Sequence, residues 1–407
     1  MSESMSVTTA ENLDVSPVGE ERTEPAWLAV ISLTLGVFGL VTAEFLPASL
    51  LTPIAADLGV SDGAAGQTVT ATAVIGAVAG LATPIVTRDF DRRLVMWSLT
   101  LLLVISNVLA ATATGLTMLL IARLLLGASL GAFWSMAGAM ALRLVPSRLV
   151  PRALSIVFTG VSVATVSAAP VGAYLGGLLG WRAVFVIAAG IALVTLFAQM
   201  LTMPKLPPRA SPNIGTLFEL LGRPSVRLVL ITVLLSISGH FAGFTYVRPF
   251  LEQVPALSVE MISLVLLAYG VGGFFGNFAG AAVIERSLKA AVVLGSLLIA
   301  VTAAALVILG TSLSFAAAAV AFWGFAFGAL PVGIQTWMVR VAPDQTEAAN
   351  GLLVAAFQVA IASGAIFGGM LVDHLGVVAT ISYCGIATLL GAMLVLAFGR
   401  REAFAAS

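Results

Sequence analysis

Ionisable side chains are rare inside the long apolar runs of this sequence, and two of them are placed to handle a proton. Glu44 lies in an otherwise uncharged run over 27–51, and Arg123 lies in another over 117–141. A charge at the centre of a bilayer costs about 2.5–3.5 kcal/mol on insertion scales, so it marks a functional site by default. At 1.5 Å of rise per residue along antiparallel helices, both side chains fall at a similar depth. We therefore expect Glu44 and Arg123 to face each other as a proton-coupling pair.

Glu44 is the candidate carrier of the proton. Burial in a cavity of low dielectric favours the protonated carboxyl, whereas a nearby cation favours the carboxylate. Opening such a cavity to one side of a membrane and then to the other would change this balance and let the group load and release a proton. The alternatives are a static ion pair, or a glutamate that reaches the membrane interface. Arg123 either organises the pair or serves backbone carbonyls.

Polar and aromatic side chains in the other apolar runs are candidates for binding a polar solute. An imidazole in the middle of a run can share proton traffic or bind substrate, or it can be satisfied by a neighbouring helix. Amides and hydroxyls either join helices by hydrogen bonds or bind a solute, and an indole offers a stacking surface or packs in the core. The candidate set for substrate binding is Trp134, His240, Tyr246, Asn277, Gln335 and Gln358.

Membrane-crossing helices must position these residues. Crossing about 30 Å of hydrocarbon takes roughly 20 apolar residues. The runs are continuously apolar and do not alternate in polarity as the strands of a membrane barrel do. The sequence therefore predicts an all-α membrane protein with twelve transmembrane helices. The predicted bounds are 27–51, 64–87, 94–113, 117–141, 153–179, 182–203, 226–250, 261–284, 289–309, 313–338, 348–371 and 376–398.

The composition excludes several other classes of protein. Hydrophobic residues make up 60% of the chain and charged residues 9%, whereas a soluble domain carries roughly 25% charged residues. The 19 basic and 19 acidic residues balance, so there is no basic surface for nucleic acid. One cysteine and two histidines leave no internal disulfide and little material for a metal site. With no phosphate-binding loop pattern, we expect no catalytic residue, metal, cofactor or ATP-driven step.

Lysine and arginine indicate the orientation, and polar gaps indicate the domains. Nearly all loop arginines and lysines fall on the side that holds both termini, which predicts cytoplasmic termini. The Pro-rich segment at 204–225 is the expected cytoplasmic linker between two six-helix halves. The predicted organisation is a disordered cytoplasmic tail at 1–26, halves at 27–203 and 226–399, the linker, and a second cytoplasmic tail at 400–407.

Glycine, arginine and proline positions repeat between the two predicted halves. Four residues in or after the fourth helix recur 197 residues later: Gly127, Gly131, Arg143 and Pro146 correspond to Gly324, Gly328, Arg340 and Pro343. Parallel repeats with a substrate site between them are a transporter architecture. The repeat thus favours solute transport.

Three short strings of this sequence resemble motifs of the major facilitator superfamily, of the drug/proton antiporter type found among arabinose-efflux permeases. The string Asp91-Arg92-Arg93 resembles its acidic–basic gating motif, and Leu120-Ile-Ala-Arg123 its buried-arginine motif. Pro170-Val-Gly172-Ala-Tyr-Leu-Gly176 resembles the fifth-helix motif of proton-driven antiporters. The resemblance implies alternating access. The residues to which it gives gating roles are Asp91, Arg92, Pro170 and Gly172.

Arg248 is a further candidate for gating. It lies near the predicted outer end of the seventh helix, where interfacial anchoring is the alternative and water would be available to it.

Longer strings narrow the resemblance within the superfamily. The string Glu44-Phe-Leu-Pro-Ala-Ser-Leu-Leu-Thr-Pro-Ile-Ala-Ala-Asp-Leu-Gly59 resembles the first helix of sugar and nucleoside exporters. Exporters of purine ribonucleosides are resembled by Gly131-Ala-Phe-Trp134-Ser-Met, Thr245-Tyr-Val-Arg-Pro249 and Pro331-Val-Gly333. The resemblance implies a monomeric secondary transporter in a bacterial inner membrane that exports nucleosides such as inosine or guanosine in exchange for protons. The alternatives are a sugar or multidrug efflux antiporter of the same superfamily, and, in another class, a non-transporting membrane sensor or channel.

Overall fold

The computed structural model describes residues 24–207 and 214–399, and within these ranges the chain is helical and contains no strand. The predicted tail at 400–407 and all but the last three residues of the tail at 1–26 lie outside the described residues. The α-helices are α1 Trp27–Leu58, α2 Asp62–Val86, α3 Arg92–Ala111, α4 Leu116–Leu144, α5 Val150–Leu179, α6 Trp181–Thr202, α7 Ile214–Gly222, α8 Pro224–Thr245, α9 Val247–Gln253, α10 Val259–Arg286, α11 Leu288–Leu309, α12 Leu313–Val341, α13 Thr346–Leu375 and α14 Val377–Phe398.

Twelve helices of the described chain, all except α7 and α9, are long and apolar enough to cross a membrane. The predicted all-α class with twelve spans is therefore confirmed. The main differences are at helix ends. Helix α1 continues to Leu58, where Gly59 takes a positive φ of 63° and closes the helix with a bond to Ala55 O. The predicted run 226–250 breaks at Tyr246, because Pro249 has no amide hydrogen to donate to the carbonyl of Thr245.

The helices pack in the same way in the two predicted halves. In the first half α1 packs on α5 and α6, α2 on α4, and α3 on α6; in the second half α8 packs on α13 and α14, α10 on α12, and α11 on α14. Two contacts join the halves along their length, α2 with α13 and α5 with α10. We call the surface between the halves, along these two contacts, the seam.

Two helix crossings show the repeat at the level of the backbone. A Cβ added to Gly131 of α4 would lie 2.0 Å from the carbonyl oxygen of Gly76 in α2. A Cβ added to Gly328 of α12 would lie 2.0 Å from that of Gly273 in α10. Both members of the pair recur 197 residues later. The sequence repeat therefore corresponds to a helix crossing that is built twice and that requires glycine each time.

The predicted linker contains the short helix α7, which is fixed to the second half. Leu220 is fully buried. Arg223, just after α7, donates to both carboxylate oxygens of Asp344 at 2.7 Å and to Glu219 at 3.1 Å. Hydrogen bonds from Gln345 and Arg223 lower the pKa of the Glu219 carboxyl, and those from Arg223 lower the pKa of Asp344. The segment is thus tied to the loop between α12 and α13.

Candidate functional site

A small cavity lies on the seam and is lined by both predicted halves. It has space for about one water molecule. Its lining comes from α1, α2, α8 and α13, namely Glu44, Phe45, Ala48, Val69, Thr72, Ala73, Phe241, Phe244, Thr245 and Ile361. Glu44 is the one candidate from the sequence that lines it. We call this space the Glu44 cavity.

Helical spacing places the lining residues on one face of each helix. On α8, Phe241, Phe244 and Thr245 stand at i, i+3 and i+4, which is one face of a 3.6-residue turn. Glu44 and Ala48 of α1 stand 197 residues before Phe241 and Thr245. The internal repeat is therefore the sequence signal that points to these two α8 residues, although neither carries a charge.

The Glu44 cavity combines a carboxyl with a hydroxyl and aromatic rings. Glu44 is half-buried, and no ion pair joins it to a cation among the described residues. The Thr245 hydroxyl is buried and has no hydrogen-bond partner in the described chain. The rings of Phe45 and Phe244, one from each predicted half, meet edge to face with centroids 5.5 Å apart. This arrangement can hold a proton on a carboxyl and offer a hydroxyl to a water or a polar solute.

Arg123 does not pair with Glu44 in this structure, so the expectation of a facing pair is not met. The guanidinium is fully buried, donates to the carbonyl of Ala43 at 3.0 Å, and covers the ring of Phe185 at 4.6 Å. Its Nε and Nη2 have no hydrogen-bond partner within the described residues. Successive residues of a helix point about 100° apart. The Glu44 side chain can therefore face the cavity while Arg123 of α4 donates to the carbonyl of the preceding residue, Ala43. Arg123 thus serves a backbone carbonyl, the alternative that the sequence left open.

His240 is a satisfied core histidine and does not line the cavity. Its Nδ1 accepts a hydrogen bond from Trp323 Nε1 at 3.0 Å, and its Nε2 lies 3.3 Å from the Tyr269 hydroxyl. The ring stacks on Phe327 with centroids 3.6 Å apart. Because Nδ1 accepts, the neutral ring carries its hydrogen on Nε2. A second proton would have to displace the tryptophan N–H, so this site opposes protonation of His240.

Tyr246 and Gln358 lie where helices of the two predicted halves touch. The Tyr246 hydroxyl donates to Ala365 O at 2.9 Å. A Cβ added to Gly66 of α2 would lie 2.0 Å from the Tyr246 hydroxyl oxygen. Gln358 is buried beside Gly76, and its Oε1 has no partner among the described residues. In this structure Tyr246 is hydrogen-bonded to α13, and Gln358 packs against α2.

The other three substrate candidates lie away from the Glu44 cavity. Trp134 is half-buried and stacks on Phe158 with centroids 6.5 Å apart. Asn277 and Gln335 are exposed, and the Gln335 amide donates to Asn350 at 3.5 Å. None of the three contributes to the cavity lining.

The loop with the acidic–basic motif is hydrogen-bonded within itself and to the start of the predicted linker. The Asp91 carboxylate accepts from the backbone N–H of Arg93 at 2.8 Å and of Leu206 at 3.1 Å. Arg92 donates from Nη1 to the carbonyl of Thr87 at 2.9 Å. These bonds connect the α2–α3 loop to the segment that follows α6.

The Pro170 motif brings α5 against α1. Pro170 lies inside α5, and a Cβ added to Gly172 would lie 2.7 Å from the Ser49 hydroxyl. Arg248 meets the same turn of α1 from α9. It donates from Nη1 to the carbonyl of Ser49 and from Nε to Glu252 at 2.8 Å.

Arg248 is only 4% exposed. The expectation of a water-exposed arginine at this position is wrong, because α9 turns the side chain inward across the seam.

Similar proteins agree on family and fold. The chain matches the family model described as Major Facilitator Superfamily over residues 33–345 and 249–406. It is 40% identical to the purine ribonucleoside efflux pump NepI of Salmonella typhimurium (strain LT2) over 373 residues, covering 92% of this chain and 94% of the relative. It is 40% identical over 393 residues to the pump of that name from Shigella sonnei (strain Ss046), covering 97% and 98%.

Solved structures share the fold at low sequence identity. A D-xylose-proton symporter aligns with a TM-score of 0.71 at 20% identity, covering 90% of this chain and 95% of the other. A bacterial homolog of the human lysosomal transporter Spinster, in an inward-facing and occupied conformation, aligns with a TM-score of 0.73 at 17% identity, covering 90% and 94%.

Proposed function

The chain belongs to the Major Facilitator Superfamily, and from that premise we propose that it exports purine ribonucleosides in exchange for protons. It is a multi-pass membrane transporter and not an enzyme. Support for the substrate comes from the 40% identity over nearly the whole length to pumps named for purine ribonucleosides. The observation that carries the coupling is a carboxyl, Glu44, in a cavity to which both predicted halves contribute.

The proposed coupling is a competition between proton and solute for Glu44. Apolar walls such as Phe241 and Ile361 favour the protonated carboxyl. A nucleoside entering the cavity would bring hydroxyl and amino donors, and hydrogen bonds to the carboxylate favour the ionised form. Solute binding therefore expels the proton, and proton binding expels the solute, as antiport requires.

The proposed motion is alternating access of two halves, 27–203 and 226–399, about this cavity. Space for about one water cannot hold a nucleoside, so solute entry needs the halves to separate. Phe45 and Phe244 come from opposite halves, and their edge-to-face contact would open with them. We further propose an inner-membrane location, cytoplasmic termini and a monomeric transporter.

The driving force is sufficient for uphill export. One proton moving through 100 mV releases about 2.3 kcal/mol, and about 1.4 kcal/mol corresponds to a tenfold concentration ratio. One neutral solute per proton could be held at a gradient of roughly 40-fold on these values.

Transport by proteoliposomes of the Glu44→Gln variant tests the coupling. Glutamine keeps the shape of the side chain but does not ionise. We expect the variant to lose nucleoside accumulation driven by a pH gradient while keeping exchange of labelled inosine at equal concentrations on both sides. Glu285→Gln, at an exposed position of α10, is the matched control and should transport as the wild type does. Full coupling in Glu44→Gln would contradict the proton role.

A substrate panel on the same vesicles tests the solute. Labelled inosine and guanosine should be transported, and a pentose and a cationic dye should not. Transport of the pentose or dye alone would favour the sugar or multidrug alternative. No pH-driven movement of any of them would favour a sensor or channel.

A further inference from the structure

The two contacts along the seam are related by the internal repeat but differ in chemistry near one end. Where α5 meets α10, Gly177 faces Val259, and a Cβ on the glycine would lie 2.8 Å from the valine Cγ1. Where α13 meets α2, the Asp373 carboxylate accepts hydrogen bonds from Ser61 Oγ at 2.7 Å and from the backbone N–H of Gly63 at 3.0 Å. A polar connection is therefore present at one repeat-related contact and replaced by an apolar one at the other.

The repeat identifies which residues make the difference. Ser61 and Ser258, 197 residues apart, cap the first turns of α2 and α10 in the same way, each accepting from the amide three residues on. The following residues are Asp62 and Val259. The shared cap shows that the helix starts are equivalent. Each first turn carries one carboxylate, Asp62 in α2 and Glu260 in α10, so the Asp373 carboxylate of the facing helix is what distinguishes the α2 contact.

Close approach lets Asp373 reach the first turn of α2. A Cβ added to Gly63 would lie 2.3 Å from Asp373 Oδ2 and 2.6 Å from the carbonyl oxygen of Gly369. Only glycine fits between these groups. The first turn of a helix also has unpaired N–H groups and a positive dipole end, both of which favour a carboxylate.

A second carboxylate, that of Asp62 in α2, opposes this contact. Asp62 stands between Ser61 and Gly63, the two residues that bond to Asp373, so the Asp62 and Asp373 carboxylates lie at the same turn and repel each other. The two like charges come from opposite sides of the seam. The contact therefore combines two hydrogen bonds that close the seam with a repulsion that favours its opening.

We propose that Asp373 is a latch residue that holds the seam closed at this end through Ser61 and Gly63, and that Asp62 weakens the latch by repulsion. The predicted topology places this end outside the cell. The latch goes beyond the proposed function, since it sets how often the cavity opens to the outside whatever solute is carried.

Labelling of a cavity cysteine from each side of the membrane tests the latch. The reporter is Ala48→Cys in a Cys384→Ser background, and the probe is a membrane-impermeant maleimide added to right-side-out or inverted vesicles. Asp373→Ala should raise the labelling rate from outside by about two- to fivefold, the range of one carboxylate at a helix N-terminus, and lower it from inside. Asp62→Asn should change both rates in the opposite direction.

Two variants complete the design. Asp57→Ala is the matched control, because its carboxylate at the same end pairs with Arg182 inside one half; it should leave both rates unchanged. Ser61→Ala removes one latch hydrogen bond and keeps the Gly63 amide, so it should give a smaller shift of the same sign as Asp373→Ala. It decides the matter if Asp373→Ala does not fold.

The latch would be overturned if Asp373→Ala and Ser61→Ala both left the labelling rates unchanged. It would also be overturned if either variant were labelled faster from both sides at once. No nucleoside is present in this assay, so its outcome is independent of the substrate assignment.

Discussion

Replacing Gly131 by alanine should destabilise the protein, because the new methyl group has no space. Its Cβ would lie 2.0 Å from the carbonyl oxygen of Gly76 and 2.9 Å from the Gly76 Cα. A carbon–oxygen contact normally needs about 3.3 Å, so α2 and α4 would have to separate by roughly 1.3 Å. Overpacking costs about 1–3 kcal/mol, and alanine returns about 0.5–1 kcal/mol of helix propensity. The midpoints of these two ranges leave an expected net loss in free energy of unfolding of about 1 kcal/mol.

Thermal unfolding in detergent, followed by tryptophan fluorescence, checks this expectation with two companion variants. Gly328→Ala should lose as much stability as Gly131→Ala, because the repeated crossing places its Cβ 2.0 Å from Gly273 O. Gly190→Ala is the control: nothing lies within 4 Å of its Cβ, so only the favourable helix propensity remains. If Gly131→Ala is as stable as Gly190→Ala, the helices are not in backbone contact and the reasoning fails.

Two further predictions concern buried polar residues. Arg123→Lys should lower the free energy of unfolding by about 2–4 kcal/mol, because lysine cannot both donate to the Ala43 carbonyl and cover the Phe185 ring. In thermal unfolding, a loss no larger than that of the exposed Arg88→Lys would contradict this. His240→Phe should leave the Trp323 N–H without an acceptor and cost about 1–3 kcal/mol, while the pH dependence of transport in vesicles stays that of the wild type. A shifted pH profile would return His240 to the proton path.

The fold could be predicted from the sequence because membrane crossing imposes a strong constraint on composition. Uncharged runs of about 20 residues leave few other structures for the chain. Helix ends were harder, since they depend on local backbone chemistry. The break near Tyr246 follows from Pro249, because a proline has no backbone N–H to donate to the carbonyl four residues before it. A proline near the end of an apolar run therefore predicts a break of this kind.

The candidate site could be predicted only in part, because burial cost identifies charged residues but not their partners. Glu44 was found by its charge, and it lines the cavity. Arg123 donates to the carbonyl of Ala43 and does not pair with Glu44, because of the rotation of α1 about its axis. That rotation is set by helix packing, which the residue types alone do not reveal. Phe45 and Thr245 carry no charge, so nothing in a search for ionisable groups selects them.

The latch also constrains the mechanics of opening. Helix α2 has 25 residues and is therefore about 38 Å long, so its first turn lies about 19 Å from its midpoint. The bonds of 2.7 and 3.0 Å from Ser61 and Gly63 to Asp373 are lost once stretched by about 1 Å. Over a 19 Å lever arm that is a tilt of about 3°. The closed state of this end therefore has a short range. The first few degrees of rotation between the halves break both hydrogen bonds to Asp373, and further rotation meets no resistance from them.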